Sequence, residues 1–263
     1  MGKYIKFISV IVGVVFLVSC VPEMEGQVTV SGSTTVAPAM RALAHEFYNE
    51  TGISVYIQEI GTSSGITATI EGGSDIAMSS RALRDDELLY LTEVNFAIDG
   101  LVIIVNPENK IIDLSFEELL AIFSGDITNW RYLGGHDSII TVVSREEGSG
   151  ARASFESFLR LDNPSYSIIQ NTTGGILASV ASNRNAIGYV ASGPALSANV
   201  ALVSIDGVSF SADTILDGSY PFANRFYIAH PDSLSEEAYL FLQFILSVEG
   251  QRTVQQAGYV GVR

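Results

Sequence analysis

Three short stretches of this chain combine glycine with hydroxyl side chains: Gly32-Ser33-Thr34-Thr35, Gly61-Thr62-Ser63-Ser64-Gly65 and Glu147-Gly148-Ser149-Gly150. Serine and threonine supply O–H donors, and glycine lets the backbone approach a ligand closely. If each stretch opens a helix, it adds unpaired N–H groups and roughly half a positive charge. Together these are the parts of an oxyanion cradle. One such stretch is an ordinary helix cap; three in a lysine-poor chain say more. Arg145 stands just before the third stretch, and Arg81 follows Ser79-Ser80. A guanidinium grips an oxyanion through two parallel N–H bonds. Glu146 and Glu147, beside Arg145, are read as acids that hold it in place by an ion pair.

These residues need strand ends and helix starts to bring them together, and the hydropathy pattern supplies both. Residues 28–30 read as a strand. Met40, Leu43, Ala44 and Phe47 then fall at i, i+3, i+4 and i+7 on one helix face, with Pro38 tolerated in the first turn and Gly52 as the stop. Further strands are predicted over 53–60, 75–79, 101–105, 139–143 and 186–190. Helices are predicted after each glycine-hydroxyl stretch, over 85–91, from a capping box at Ser115, over 174–182, over 236–246 and near 251–256. Each of the three stretches thus lies between a strand and a helix. This alternation predicts an α/β architecture with largely parallel sheets, in which a ligand lies beyond the carboxyl ends of the strands.

Composition narrows the ligand. The 263 residues are 47% hydrophobic, enough for a sizeable core. Fourteen basic against 29 acidic residues give a net charge of −15, which excludes a general nucleic-acid binder because phosphate backbones need a basic footprint. One cysteine excludes an internal disulfide and a Cys-cluster metal site, and three scattered histidines offer no ligand spacing. No metal and no cofactor are expected.

The start of the chain reads as an export signal. Lys3 and Lys6 precede an apolar run over 7–18, too short to span a bilayer, which takes about 20 residues. The run ends in Leu17-Val18-Ser19-Cys20, which resembles the lipobox of bacterial lipoproteins, where the cysteine is lipidated and becomes the new N-terminus. Residues 1–19 are therefore expected to be a signal peptide, Cys20 the lipidation site and 20–27 a tether. The seven residues after the cysteine reach about 23 Å at about 3.3 Å each. Cleavage removes two lysines and no acid, leaving Lys110 as the only lysine.

The order of motifs resembles the periplasmic phosphate-binding proteins of Pst-type phosphate ABC transporters, the PstS family. The resemblance is carried by Ser31-Gly-Ser-Thr-Thr, Ile60-Gly-Thr-Ser-Ser-Gly, Ser74-Asp-Ile-Ala-Met-Ser-Ser-Arg, Ile122-Phe-Ser-Gly-Asp-Ile-Thr-Asn-Trp130, Arg145-Glu-Glu-Gly-Ser-Gly150, Ala186-Ile-Gly-Tyr-Val190, Tyr220-Pro221 and Gly258-Tyr259-Val260. It runs over nearly the whole mature chain. It implies a two-lobed periplasmic-binding-protein fold of type II-like form, with a ligand cleft between lobes joined by hinge strands. Crossings near Asp99-Gly100 and after Tyr189 would assign 28–99 with 191–263 to one lobe and 100–190 to the other. The implied ligand is inorganic phosphate, delivered to ABC permease subunits in the membrane by a lipid-anchored monomer. Ser33, Thr34, Thr35, Thr62, Ser63, Ser64, Ser80, Arg81, Arg145, Ser149, Gly150 and Ala151 are the implied phosphate residues, with Glu147 pairing the arginine.

Two departures bear on selectivity. Well-known family members carry an Asp where Ser80 stands; that acid accepts the proton of bound phosphate and helps reject sulfate. Arg81 beside it is read as a second cation. Ala151 stands where some members have a hydroxyl, so it offers only its N–H. The other readings are a binding protein for sulfate, molybdate or tungstate, a surface lipoprotein outside transport, and a hydrolase, since Gly61-Thr62-Ser63-Ser64-Gly65 fits G-x-S-x-G. The protein's negative charge does not oppose a small anion, because exposed charges are screened beyond about 8 Å. Each hydrogen bond to a charged group contributes roughly 1.5–3 kcal/mol, and micromolar binding needs about 8 kcal/mol net.

Overall fold

A computed structural model describes residues 26–262. The expected signal peptide, Cys20 and most of the tether lie outside the described residues. The chain begins β1 (Gln27–Gly32), α1 (Ala37–Thr51), β2 (Ser54–Gln58), α2 (Thr62–Ile70), β3 (Ile76–Ser79) and β4 (Thr92–Val105). It continues β5 (Asp113–Leu114), α3 (Phe116–Ser124), β6 (Thr141–Arg145), α4 (Gly150–Leu159), β7 (Ile168–Gln170), α5 (Thr173–Ser182) and β8 (Ala186–Ala191). It closes with α6 (Ser192–Leu196), β9 (Ala201–Ile205), α7 (Ala212–Leu216), β10 (Ala223–His230), α8 (Glu236–Leu246), α9 (Val248–Gln256) and β11 (Val260–Gly261).

One mixed sheet runs in the order β2-β1-β3-β10-β4-β8-β6-β7. Its outer wings are parallel, as expected: β2, β1 and β3 on one side, β8, β6 and β7 on the other. The centre is antiparallel, where β10 pairs with β3 and β4, and β4 with β8. The expectation of largely parallel sheets therefore holds only for the wings. The reason is β4, one strand of 14 residues, of which only 101–105 stood out as a continuous apolar run. Its first part starts exposed, becomes mostly buried from Phe96 on, and pairs with β10 over 92–100. Its last five residues are fully buried and pair with β8.

Two separate cores flank this strand. One gathers Leu101 to Val105 with Phe123, Phe155, Ile187 and Phe222. The other gathers Val28, Val30, Met40, Leu43, Phe47, Phe226 and Phe241. Each buried Leu or Phe contributes roughly 1.5–3 kcal/mol by leaving water, so each lobe carries its own apolar stabilisation. Along β4 the core changes between Ala97, which packs with the second group, and Leu101, which packs with the first, and this puts a crossing at Asp99-Gly100. The second crossing does not follow Tyr189. After β8 the chain returns as β9, which pairs with 103–105 of β4, and Ile205, Ile215, Tyr220 and Phe222 all join the core around Phe155. The return crossing is at Phe222-Ala223, where Ala223 pairs with Gly100. Lobe 1 is thus 26–99 with 223–262, and lobe 2 is 100–222. The alternating polar stretch 192–222 hid this assignment, because only its scattered apolar residues face the core.

At the first crossing, Asp99 is buried and accepts from the N–H groups of Gly100 (2.8 Å) and Ser192 (3.1 Å) and from the Ser192 hydroxyl. Burial pushes its carboxyl up to about 7, and these bonds only partly oppose the shift.

Most helix signals in the sequence are realised. Ser115 and Glu118 form the reciprocal capping box of α3, and Gly52 closes α1 at φ 75°. The helix expected over 85–91 is instead a set of turns. Leu88, Leu89 and Tyr90 point to solvent and Leu91 is the only buried apolar residue, so this segment has no continuous apolar helix face to bury. The Glu87 carboxylate is committed to Arg81 and to the Arg84 N–H.

Candidate functional site

Parallel β1 and β6 both end at the junction between the lobes, and the loops that follow them meet there. Ser33, Thr34 and Thr35 follow β1, and all three are buried. Thr62 opens α2, and Ser80 and Arg81 follow β3. Lobe 2 contributes Arg145 at the end of β6, Ser149 and Gly150 at the start of α4, and Thr173 at the start of α5.

Two linked clusters result. In the first, the Ser33 hydroxyl donates to Ser80 Oγ at 3.0 Å, and Thr62 Oγ1 lies 3.4 Å from the same atom. Gly150 of lobe 2 closes over this pair; a Cβ there would sit 2.6 Å from both Ser80 Oγ and Thr62 Oγ1. Only glycine permits this approach of the lobes. In the second cluster, Thr173 Oγ1 lies 3.2 Å from Thr34 Oγ1 and 3.3 Å from Thr35 Oγ1, and receives Arg145 Nη1 at 3.4 Å. The Thr173 N–H donates to Thr34 Oγ1 at 3.3 Å. The Thr35 N–H donates to Ser33 Oγ and joins the two clusters.

The hydroxyls are not consumed as helix caps. Neither α1 nor α2 has a side-chain cap bond at its N-terminus. At α4, Ser149 Oγ does accept from the Arg152 N–H, which leaves its O–H as a donor. Ala151 packs into the lobe 2 core at the second position of α4, where its N–H has no partner within the helix.

Arg145 is 3% exposed. Its Nε and Nη2 are held by the two oxygens of Glu146, both at 2.9 Å, and Nη2 also donates to the Asn171 carbonyl. This grips one edge of the guanidinium and leaves Nη1 directed at the threonine cluster. The orienting acid is therefore Glu146. Glu147, to which the family resemblance assigned that role, is exposed. Neighbouring acids on a loop face different ways, and Glu146 is the one on the Arg145 edge.

Arg81 differs from expectation. Nη1 and Nη2 each donate to a Glu87 oxygen at 2.7 Å, and Nη2 reaches Ser63 Oγ at 3.4 Å. Burial raises the Glu87 carboxyl, but the Arg81 hydrogen bonds, the Arg84 N–H and both arginine charges outweigh it and hold the carboxyl below the usual range. Arg81 thus braces Ser63 from behind, and both ends of its fork are spent. Ser63 donates its N–H to the Gly148 carbonyl across the cleft. Its hydroxyl partner is an arginine, which does not suit a G-x-S-x-G nucleophile needing a histidine base. Ser64 is exposed and stays outside the cluster.

Thr173 is the residue sequence reasoning missed. Its signal was present: Asn171-Thr172-Thr173-Gly174-Gly175 is a fourth hydroxyl-glycine stretch between a strand and a helix. Asn224 and Ser154, which bond to the Ser80 carbonyl, carried no such signal. Among the described residues no group of His, Cys, Asp and Glu is placed to hold a metal ion.

Hydroxyls both donate and accept, so this array can turn its O–H groups toward one anion while Arg145 supplies the charge. Two lobes closing on a buried array of that kind define a solute-binding protein for a small oxyanion. The comparisons agree. A model of the PBP superfamily domain matches residues 22–249. The phosphate-binding protein PstS of Bacillus subtilis is 31% identical over 250 residues, covering 91% of this chain and 82% of that protein. The PstS of Borreliella burgdorferi is 27% identical over 262 residues, covering 92% of each. A crystal structure from Clostridium perfringens, described as a phosphate ABC transporter substrate-binding protein with bound phosphate, superposes with a TM-score of 0.87 at 37% identity, covering 90% of this chain and 100% of that one. The chain belongs to the PstS family within the PBP superfamily.

Proposed function

We propose that this protein captures inorganic phosphate outside the cytoplasm and delivers it to an ABC permease, without catalysing a reaction. The observation that carries the reading is Arg145. It is buried, gripped on one edge by Glu146, and directed by Nη1 at the Thr173 hydroxyl, which in turn meets Thr34 and Thr35 of the other lobe. Ser33, Thr34, Thr35, Thr62, Ser80, Ser149 and Thr173 would donate O–H groups to the anion. Gly150 and Ala151 would add N–H groups from the first turn of α4. The names of the relatives and the bound phosphate in the Clostridium perfringens structure support the choice of anion. In the same reading Cys20 carries the lipid, residues 20–27 tether the body to a membrane, and the protein works as a monomer.

One observation favours a second oxyanion. The carboxylate at the site is Glu146, and both its oxygens are committed to Arg145. Ser80 stands where an acid would accept the phosphate proton. Sulfate, which has no proton at neutral pH, is then not rejected by charge. Titration calorimetry with phosphate, sulfate and molybdate between pH 5.5 and 8.5 decides. The proposal expects phosphate to bind most tightly, with its margin over sulfate narrowing as phosphate loses its proton. Tighter sulfate or molybdate binding at every pH would reassign the ligand.

A further inference from the structure

We infer that Ser154 is an affinity-setting residue that never touches the ligand: it latches lobe 2 onto the main chain of Ser80. The Ser80 carbonyl accepts two bonds, from Ser154 Oγ at 3.0 Å and from Asn224 Nδ2 at 3.2 Å. Asn224 lies on β10 next to the return crossing, paired with Asp99, so it travels with lobe 1 and aims the carbonyl. Ser154 lies on α4 in lobe 2, so its bond exists only when the lobes are together.

Ser154 is placed for this by helix geometry. It follows Gly150 by four residues, so both lie on the same face of α4. Gly150 covers the Ser80 and Thr62 hydroxyls, and one turn later Ser154 holds the Ser80 carbonyl. The side chain of Ser80 thus belongs to the anion site and its main chain to the latch. A shift of either moves the other, and Ser80 is fully buried.

This contact differs in kind from the Thr34–Thr173 bonds. Those use hydroxyls that an anion would claim. The Ser154 bond faces away from them, toward a cavity of about 330 Å³ between the lobes that Ser154 and Asn224 both line. It does not compete with the ligand. It therefore biases the lobes toward closure before and after binding. Apparent affinity scales with the fraction of molecules in the binding-competent form, so a latch outside the site tunes affinity directly.

The inference rests on the phosphate reading for its affinity arm but not for its structural arm. Ser154→Ala and Ser154→Thr are compared with the wild type in phosphate titrations and in spin-label distance distributions between the lobes, with and without phosphate. Ser154→Ala is expected to weaken phosphate binding roughly three- to tenfold. Its distance distribution without phosphate shifts toward open, while at saturating phosphate it matches the wild type. Ser154→Thr, which keeps the hydroxyl, stays closer to the wild type in both. Wild-type affinity together with an unchanged phosphate-free distribution in Ser154→Ala would overturn the latch. If the wild-type protein binds no phosphate, the functional reading fails, and the distance shift still decides the latch.

Discussion

Arg81 and Arg145 occupy matching corners of the molecule. Arg81 stands two residues past the end of β3 and Arg145 is the last residue of β6, one in each lobe, and each is nearly fully buried. What separates them is how the acid partner sits. Glu87 takes both terminal nitrogens of Arg81, so the fork is filled. Glu146 takes Nε and Nη2 of Arg145 and leaves Nη1 for the threonines. The same ion-pair chemistry closes one arginine's fork and leaves the other with a nitrogen turned to the hydroxyls between the lobes. Which edge of an arginine its carboxylate occupies decides where the remaining N–H groups point.

That contrast can be broken by experiment. Arg145→Ala should weaken phosphate binding by more than tenfold, since it removes the site's cation and its charged hydrogen bonds, each worth roughly 1.5–3 kcal/mol. Unchanged affinity by calorimetry would remove Arg145 from the site. Arg81→Ala should do the reverse. Breaking a buried ion pair costs about 3–5 kcal/mol, and a chain of this size loses about 2–4 °C per kcal/mol. A fall in Tm on the order of 10 °C is therefore expected, with phosphate affinity, measured below the transition, changed by less than about threefold. A large affinity loss with little change in Tm would make the two corners alike.

The third effect belongs to the crossing between the corners and shows as a slope in pH. With its pKa near 7, Asp99 holds a proton in the folded protein that it has lost in the unfolded chain between about pH 4 and pH 7. Its contribution to stability is therefore full below pH 4 and declines as pH rises toward 7. Asp99→Asn should flatten that part of the profile in denaturant unfolding measured from pH 4.5 to 8. An identical slope in both proteins would show that Asp99 ionises normally in the fold.

Much of this was legible in the sequence because the signals are local. The caps, the apolar run at 101–105 and the glycine-hydroxyl loops each depend on a few neighbouring residues. They predicted the strand-loop-helix units and most of the hydroxyls that cluster between the lobes. What was hidden depends on partners far along the chain. Glu87 faces Arg81 only because the 85–91 segment turns instead of forming a helix. Asn224 bonds to the Ser80 carbonyl, 144 residues away in sequence. The second crossing lies at 222 because β9 pairs with a strand formed about a hundred residues earlier. Thr173 is the exception. Its loop had the same composition as the three that were chosen, and the weak apolar pattern of β7, three residues with none fully buried, hid the strand before it.

The place of β10 in the sheet has a consequence in time. β10 lies between β3 and β4 and pairs with both. Those strands leave the ribosome well over a hundred residues before it, and they cannot join until residues 223–230 arrive. Lobe 2, an unbroken stretch from 100 to 222, can collapse as soon as it is made; lobe 1 has to wait for the tail of the chain. Ser80 and Asn224 therefore meet only in the last act of folding. The corner that carries Arg145 needs only residues 100–222, whereas the opposite corner is incomplete until residues 223–230 take their place between β3 and β4.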